Sequence, residues 1–208
     1  MTAQRVRAYI GLGANVGDAE ATLAEAVRSL AGLPGVRQRG VSRLYATRPV
    51  GVLDQPTFRN AVVAMDVPGG PDPATAAIRL LVELKELERS AGRQVRRRWG
   101  PRELDLDVLV FGRARLAVDR PPEARSLDAA ADPTAAAGTL VVPHQSAQER
   151  LFVLAPMADL APRLVPPGWS ETVETARRRR LALEGPDAVR AVGTWDPAAQ
   201  AWRAIQPR

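Results

Sequence analysis

Two aspartates two residues apart carry the strongest chemical signal in this sequence of 208 residues. Asp105 and Asp107 lie in ELDLDVLVFG (103–112), where polar and apolar residues alternate with the period of a half-buried strand. Both side chains would point to one side of that strand, with their Cα atoms about 6.7 Å apart. Such carboxylates can bind one Mg²⁺ or bridge two ions, although a pair of surface acids would show the same pattern. The opposite, core-facing side would carry Leu104, Leu106, Val108 and Val110.

A basic segment directly precedes these acids. Residues 89–102 contain no acid and six arginines, namely Arg89, Arg93, Arg96, Arg97, Arg98 and Arg102. The segment carries +6, which is the net charge of the whole chain, so the remainder sums to zero. A cationic loop beside two carboxylates favours a polyanion held next to a metal ion, and a solvated basic loop is the alternative.

Composition removes several classes of protein. The chain has no cysteine, which excludes disulfides, iron–sulfur clusters and thiol nucleophiles and favours a cytoplasmic location. No run of about 20 apolar residues and no signal-peptide pattern is present, so we expect an unanchored protein. The only lysine, Lys85, lies in a helical pattern, which excludes a P-loop. Phosphate charge must then be met by arginines and metal.

Three glycines and the single histidine each allow two interpretations. Gly11, Gly13 and Gly17 do not have the spacing of a dinucleotide-binding turn. They either end a strand or let the backbone pass close under a ligand. The single histidine, His144, is either structural or part of the site.

The order of elements predicts an α+β fold. We expect strands at 5–12, 41–45, 58–67 and 103–112, with helices from Asp18 to Gly32 and from Asp72 to near Gly92. The order β-α-β-β-α-β is that of a ferredoxin-like layer of helices on an antiparallel sheet.

The remaining segments are less regular. Residues 113–138 are predicted to be a surface excursion, followed by a short strand in TLVVP. Ser146 and Glu149 have the spacing of a capping box that would start a short helix. We predict one domain at 1–169 and a C-terminal extension of unknown role at 170–208, built from a peripheral helix and a hairpin.

Several motifs resemble one enzyme family. RWGPRELDLDVL (98–109) is similar to the signature of 6-hydroxymethyl-7,8-dihydropterin pyrophosphokinases. Further similarity lies in YIGLGAN (9–15), YATRPVG (45–51), DQPTFRNAV (54–62), VPH (142–144) and RLFVL (150–154). The resemblance covers roughly residues 5–112 and 139–165.

The resemblance implies a reaction and a set of site residues. Members transfer pyrophosphate from MgATP to the hydroxymethyl group of the pterin and release AMP, in folate biosynthesis. Asp105 and Asp107 would hold two Mg²⁺ ions, and Arg93 and Arg102 would support the transferring group. The implied ATP contacts are Lys85, Glu88, Arg98, Trp99, Arg102, Val141, His144 and Arg150. The implied pterin contacts are Thr47, Val50, Phe58, Asn60, Trp99, Asp105 and Phe152, with Phe58 and Phe152 stacking on the ring.

Two other activities are compatible with parts of the sequence pattern. A magnesium-dependent phosphoryl or nucleotidyl transferase with another acceptor would differ only in the pterin pocket. An RNA-binding ferredoxin-like module would need aromatic residues on its sheet, but aromatic residues make up only 4% of the chain. We therefore expect ATP and a pterin as small-molecule partners of a monomer, with no nucleic acid or membrane partner.

Overall fold

The computed structural model describes residues 4–48, 54–92, 100–125 and 138–205. These ranges contain helices α1 (Ala19–Gly32), α2 (Pro73–Ser90), α3 (Leu151–Leu160) and α4 (Val173–Glu184). The strands are β1 (Arg5–Ala14), β2 (Arg37–Val41), β3 (Leu44–Thr47), β4 (Phe58–Pro68), β5 (Asp105–Phe111), β6 (Leu116–Asp119), β7 (Thr139–Val142), β8 (Val189–Asp196) and β9 (Ala201–Ala204). No helix in these ranges is long and apolar enough to span a membrane.

Antiparallel pairing joins most strands into one sheet. The order is β5-β1-β4-β3-β8-β9, and β2 pairs with β4 beside β3. β6 and β7 form a separate two-stranded sheet next to β5. The predicted α+β, ferredoxin-like arrangement is thereby confirmed.

The two faces of the large sheet carry different helices. Ile10, Val63 and Leu106 belong to the core on the face covered by α1 and α2. Tyr9, Val62 and Leu109 belong to the core on the opposite face, which α3 and α4 cover. Alternation along each strand produces this division, because successive side chains leave a strand on opposite sides.

Side-chain caps fix where the first two helices begin. The Asp18 carboxylate accepts a hydrogen bond from the Ala21 amide, at 3.0 Å. Asp72 accepts from the Thr75 amide at 2.9 Å, and Pro73 occupies the first turn, where its missing N–H leaves no donor unpaired. Both helix starts agree with the sequence prediction.

The strand predicted at 41–45 is wrong, because the chain forms two strands there. Ser42 separates β2 from β3, and its hydroxyl accepts the Val62 amide at 2.9 Å in place of a backbone carbonyl. The Ser42 carbonyl accepts instead from the Trp202 indole N–H, also at 2.9 Å. At this point, hydrogen bonds of the Ser42 hydroxyl and of the Trp202 indole replace backbone hydrogen bonds between strands.

A bulge in β5 overturns the predicted placement of Val110. Ile10 pairs with Val108 while Tyr9 pairs with Val110, so Leu109 is an additional residue opposite β1. Val110 consequently packs in the core under α3, whereas Leu106 and Val108 pack under α2. One inserted residue reverses the faces that follow it.

The segments after β5 also depart from prediction. The first part of the predicted surface excursion is ordered, with β6 followed by a 3-10 turn (Pro122–Ala124). Ala124 is fully buried in the core beside α2. The capping box is absent: Ser146 provides no side-chain cap, and α3 begins after Arg150. The short 3-10 turn Ala147–Glu149 takes up the chain where the helix was expected to start.

The C-terminal extension contains the predicted helix and hairpin. α4 packs on α3, and the hairpin of β8 and β9 continues the large sheet through pairing between β3 and β8. Trp195 and Trp202 meet edge to face, with ring centroids 4.7 Å apart. The hairpin is therefore part of the main sheet.

Candidate active site

The two aspartates open onto a row of small and polar residues across the sheet. In the strand register Asp107 lies opposite Gly11, Asp105 lies opposite Gly13, and Gly13 lies opposite Asn60. Paired residues of antiparallel strands share a face, so all five side-chain positions face the same side of the sheet. A Cβ at Gly13 would lie 3.1 Å from Asn60 Oδ1. Glycine therefore keeps the surface between the carboxylates and Asn60 open.

An arginine contacts the first aspartate directly. Arg102 Nη1 lies 2.7 Å from Asp105 Oδ1, and the two side chains retain 24% and 26% of their exposure. The predicted residues Arg102, Asp105 and Asp107 are thus brought together at the end of β5. Two carboxylates on one face suit a hard cation, and Mg²⁺ takes its other ligands readily from phosphate oxygens and water. Within the described ranges no third acidic or histidine side chain completes a metal cluster.

Asn15 ties three segments together beside this group. The buried Asn15 side chain accepts from the Arg102 amide at 2.7 Å. Its Nδ2 donates to Gln55 Oε1 and to the Pro56 carbonyl. One side-chain amide therefore connects the end of β1 to the segment that precedes β5 and to the segment that precedes β4. Asn15 belongs to the YIGLGAN motif (9–15), but no role was predicted for it.

A buried ion pair supports β5 from the opposite face. Lys85 and Glu88 of α2 are 4% and 2% exposed, and Lys85 Nζ lies 2.6 Å from Glu88 Oε1. Lys85 donates to the Leu106 carbonyl at 3.0 Å, and the Leu106 amide donates to Glu88 at 2.7 Å. Both side chains were predicted to contact ATP, and that contact stays a prediction. Both side chains bind the backbone of Leu106, which is the residue between the two aspartates.

His144 is fixed at the outer edge of β5. Its amide donates to the Leu109 carbonyl at 2.9 Å, at the bulge. Its ring Nδ1 accepts from the Ser146 amide at 3.3 Å. A neutral imidazole whose Nδ1 accepts a hydrogen bond carries its proton on Nε2, so His144 presents an N–H donor.

The predicted pterin residues that the structure describes lie on the face that carries the aspartates. Phe58 and Asn60 are two apart in β4, and Thr47 pairs with Phe58. The buried Asn60 Nδ2 donates to Thr47 Oγ1 at 2.7 Å, which leaves Oδ1 as the acceptor atom of that amide. Phe152 lies in the first turn of α3 on the same side of the sheet, and Arg150 Cζ lies 5.7 Å from its ring centroid.

α3 is anchored at its other end. Arg43 and the Tyr45 hydroxyl both donate to the Asp159 carboxylate. Burial, with a further contribution from Asp159, raises the pKa of the Tyr45 hydroxyl, which therefore remains a donor. This attachment to β3 fixes the helix whose first turn carries Phe152.

One arginine near the aspartates escaped sequence reasoning. Arg120 follows β6, and its Nε is buried with no hydrogen-bond partner among the described residues. Burial lowers the pKa of its guanidinium, while the charges of Asp107, Glu88 and Asp105 act in the opposite direction. Arg120 belongs to the alanine- and proline-rich segment in which no motif drew attention to it.

Four predicted site residues lie outside the described ranges: Val50, Arg93, Arg98 and Trp99. Val141 is half-buried in β7, opposite Ala117 of β6. Its expected contact with ATP stays a prediction.

Together these features define an α+β domain of the ferredoxin-like kind with a carboxylate pair suited to phosphate-transfer chemistry. The model of the family 7,8-dihydro-6-hydroxymethylpterin-pyrophosphokinase (HPPK) matches residues 9–162. The chain is 41% identical over 170 residues to the 2-amino-4-hydroxy-6-hydroxymethyldihydropteridine pyrophosphokinase of Methylorubrum extorquens, covering 82% of this chain and 90% of that relative. Identity to the Pseudomonas aeruginosa protein of the same name is 38% over 158 residues, covering 76% and 82%. The chain belongs to the HPPK family.

A solved structure agrees in fold. Wild-type HPPK-DHPS of Plasmodium falciparum superposes with a TM-score of 0.69 at 13% identity, over 97% of this chain. The chain spans about half the length of that protein, 50%. At this identity the likeness supports the architecture alone.

Proposed function

We propose that the chain transfers the pyrophosphoryl group of ATP to the hydroxymethyl group of 6-hydroxymethyl-7,8-dihydropterin, a step of folate biosynthesis. The observation that carries the proposal is the row of Asp107, Asp105, Gly13 and Asn60 on one sheet face in a chain of this family. Such a row would set the negative charge that a metal nucleotide needs beside an amide that could hydrogen-bond to a heterocycle. This family membership leaves no support for an RNA-binding module.

Asp105 and Asp107 would hold the metal of the nucleotide. Their shared face, with Gly13 opposite Asp105 and lacking a side chain, fits a cation that also takes phosphate oxygens. Mg²⁺ bound there would neutralise polyphosphate charge. Arg102, already paired with Asp105, would meet additional negative charge on the same side.

The nucleotide would lie along the edge of β5. His144 presents its Nε2 proton there as a donor, and Arg150 lies a short distance along the chain at the start of α3. Fixed donors of this kind position a polyphosphate without reorganising during the reaction.

The pterin would occupy the strip between Asp105 and Thr47. A flat heterocycle gains from aromatic faces, which Phe58 and Phe152 would supply. Asn60 Oδ1 would accept from the N–H edge of the ring, because Asn60 Nδ2 is already held by Thr47. The amide orientation is thus set before the ligand arrives.

The chemical step exchanges one phosphorus–oxygen bond for another. The pterin hydroxyl oxygen forms a bond to the β-phosphorus and loses its proton. The bond from that phosphorus to the oxygen shared with the α-phosphorus breaks, and AMP leaves with the electron pair. Positioning and charge neutralisation dominate such transfers.

A product assay tests the proposal. The chain would be incubated with ATP, Mg²⁺ and the pterin alcohol, and nucleotide products would be separated. AMP formation that depends on the pterin is expected. ADP as the product, or AMP formed equally without the pterin, would contradict the proposed activity.

The wider organisation is also a proposal. Residues 1–169 would carry the chemistry, and the extension at 170–208 would support β3 through the hairpin. Monomeric assembly and a cytoplasmic location stay predictions, which sedimentation and cell fractionation would check.

A further inference from the structure

The Arg120 side chain is half-buried, and one atom of its guanidinium, Nε, is fully buried without a partner among the described residues. Its Nε has no hydrogen-bond partner, and its guanidinium forms no ion pair with any residue in the described ranges. A buried N–H without a partner is unfavourable, because its hydrogen bond to water is not replaced. An exposed side chain at position 120 would avoid this cost, yet the fold keeps the Arg120 Nε buried.

The backbone around Arg120 holds it in place. The Arg120 amide donates to the Gly138 carbonyl, and Asp119 pairs with Thr139 at the end of β6. Downstream, Ala124 is fully buried, and the Arg89 guanidinium donates to the Glu123 carbonyl. Arg120 therefore extends from a segment attached on both sides, so the fold determines the burial of its Nε.

The electrostatic environment of Arg120 belongs to the candidate active site. The carboxylates of Asp107, Glu88 and Asp105 act on the guanidinium through space, and Asp107 contributes most. Glu88 is already paired with Lys85, and Asp105 with Arg102. Arg120 is thus close enough to the site to respond to these carboxylates, but it forms no ion pair with them.

We propose that Arg120 binds the polyphosphate of ATP, as a contribution of the β6–β7 sheet to the nucleotide site. An arginine fork matches phosphate oxygens in geometry and charge, and an incoming phosphate would supply the missing partner. The inference rests on the proposed function, since it requires a nucleotide beside Asp105 and Asp107.

Binding of a non-transferable nucleotide tests the role of Arg120. The full chain and its R120Q, R120K and R113Q variants would be titrated calorimetrically with α,β-methylene-ATP and Mg²⁺. Arg113 is exposed in the turn before β6, so R113Q removes the same charge nearby. R120Q should bind about 10- to 100-fold more weakly, as expected for loss of a charged hydrogen bond, and R113Q should bind like the wild type.

Thermal unfolding separates this role from a structural one. Without nucleotide, R120Q should unfold at the same temperature as the wild type or higher, because the buried Nε–H without a partner has been removed. Upon addition of the analogue, R120Q should gain much less stability than the wild type. If R120Q does not fold, R120K carries the test: weaker binding at an unchanged unfolding temperature supports the inference, and unchanged affinity overturns it.

The outcomes distinguish the two proposals. Wild-type binding with equal affinity in R120Q would overturn the role of Arg120 and leave the proposed function standing. Failure of the wild type to bind the analogue would overturn the proposed function, and the inference with it.

Discussion

Lys85 Nζ lies 2.6 Å from Glu88 Oε1, and the two side chains together bind both polar backbone groups of Leu106. β5 is an edge strand of the large sheet, so Leu106 has no strand on its outer side. The ion pair replaces that missing strand. It thereby fixes the backbone between Asp105 and Asp107, and a helix contributes to the site without facing it.

Breaking this pair should destabilise the protein strongly. Lys85→Met removes the buried ammonium group that lies against the Glu88 carboxylate, and breaking a buried ion pair in this way typically costs about 3–5 kcal/mol. Urea unfolding would measure the loss. Glu86→Gln is the matched control, since Glu86 is exposed on the same helix, and it should change stability by about 0.5 kcal/mol or less.

A second variant identifies the cause of that loss. Lys85→Met combined with Glu88→Gln removes the buried carboxylate charge as well, and Gln keeps an oxygen for the Leu106 amide. The double variant should therefore be more stable than Lys85→Met alone. Equal stability would assign the loss to packing instead of charge.

Neutralising either aspartate should remove turnover and leave the fold intact. Asp105→Asn and Asp107→Asn keep the side-chain shape but lose the charge that would hold Mg²⁺. We expect activity to fall by about 100-fold or more, as for loss of a preorganised electrostatic group. Asp119→Asn, exposed on β6, is the control. Near-normal AMP production in both variants would remove the metal site from this strand.

Truncating Phe152 should affect the two substrates unequally. Phe152→Ala removes an aromatic face at the start of α3, so KM for the pterin should rise by about 10-fold or more while KM for ATP changes little. The same steady-state assay on Phe111→Leu, which alters the fully buried core, supplies the comparison. Parallel losses for both substrates in Phe152→Ala would indicate damage to packing.

Acid should remove the contribution of Glu174. Its hydrogen bond with Arg177, helped by Arg178, lowers the pKa of this carboxyl from 4.5 to about 2. A depressed acid stabilises the fold above pH 4.5, and that stabilisation is lost as the pH falls through about 2. Glu174→Gln should cost about 1 kcal/mol or less at pH 7, after screening by solvent.

Thermal unfolding across pH checks this prediction. The gap between wild type and Glu174→Gln should narrow as the pH falls below 4.5. Glu83→Gln, exposed on α2, should show no such gap. A gap that is constant down to pH 2 would show that charge on Glu174 does not stabilise α4.

Local pattern was sufficient to predict most of the elements. Alternation in β1, β4 and β5, and the Asp18 and Asp72 caps, gave the order of the fold. Alternation could not reveal the break at Ser42, because the break depends on Trp202, 160 residues away, whose indole N–H donates to the Ser42 carbonyl. Nor could it reveal the bulge at Leu109, whose carbonyl binds the His144 amide.

The candidate site divides in the same way. Asp105 and Asp107 are visible in sequence because strand spacing alone places them together. Asn15 and Arg120 act through contacts between distant segments, and Arg120 lies in a stretch without periodicity. The buried position of Lys85 and Glu88 depends on α2 meeting β5, which the helical pattern of α2 does not specify.

The pairing of β8 with β3 has a consequence for handling the protein. A chain shortened before Pro186 would leave the hydrogen-bonding groups of β3 open to strands of other molecules. Such a fragment would tend to assemble edge to edge and to precipitate at the concentrations needed for crystallisation. By pairing with β3, the strand that contains Thr47, the hairpin therefore prevents self-association at this edge.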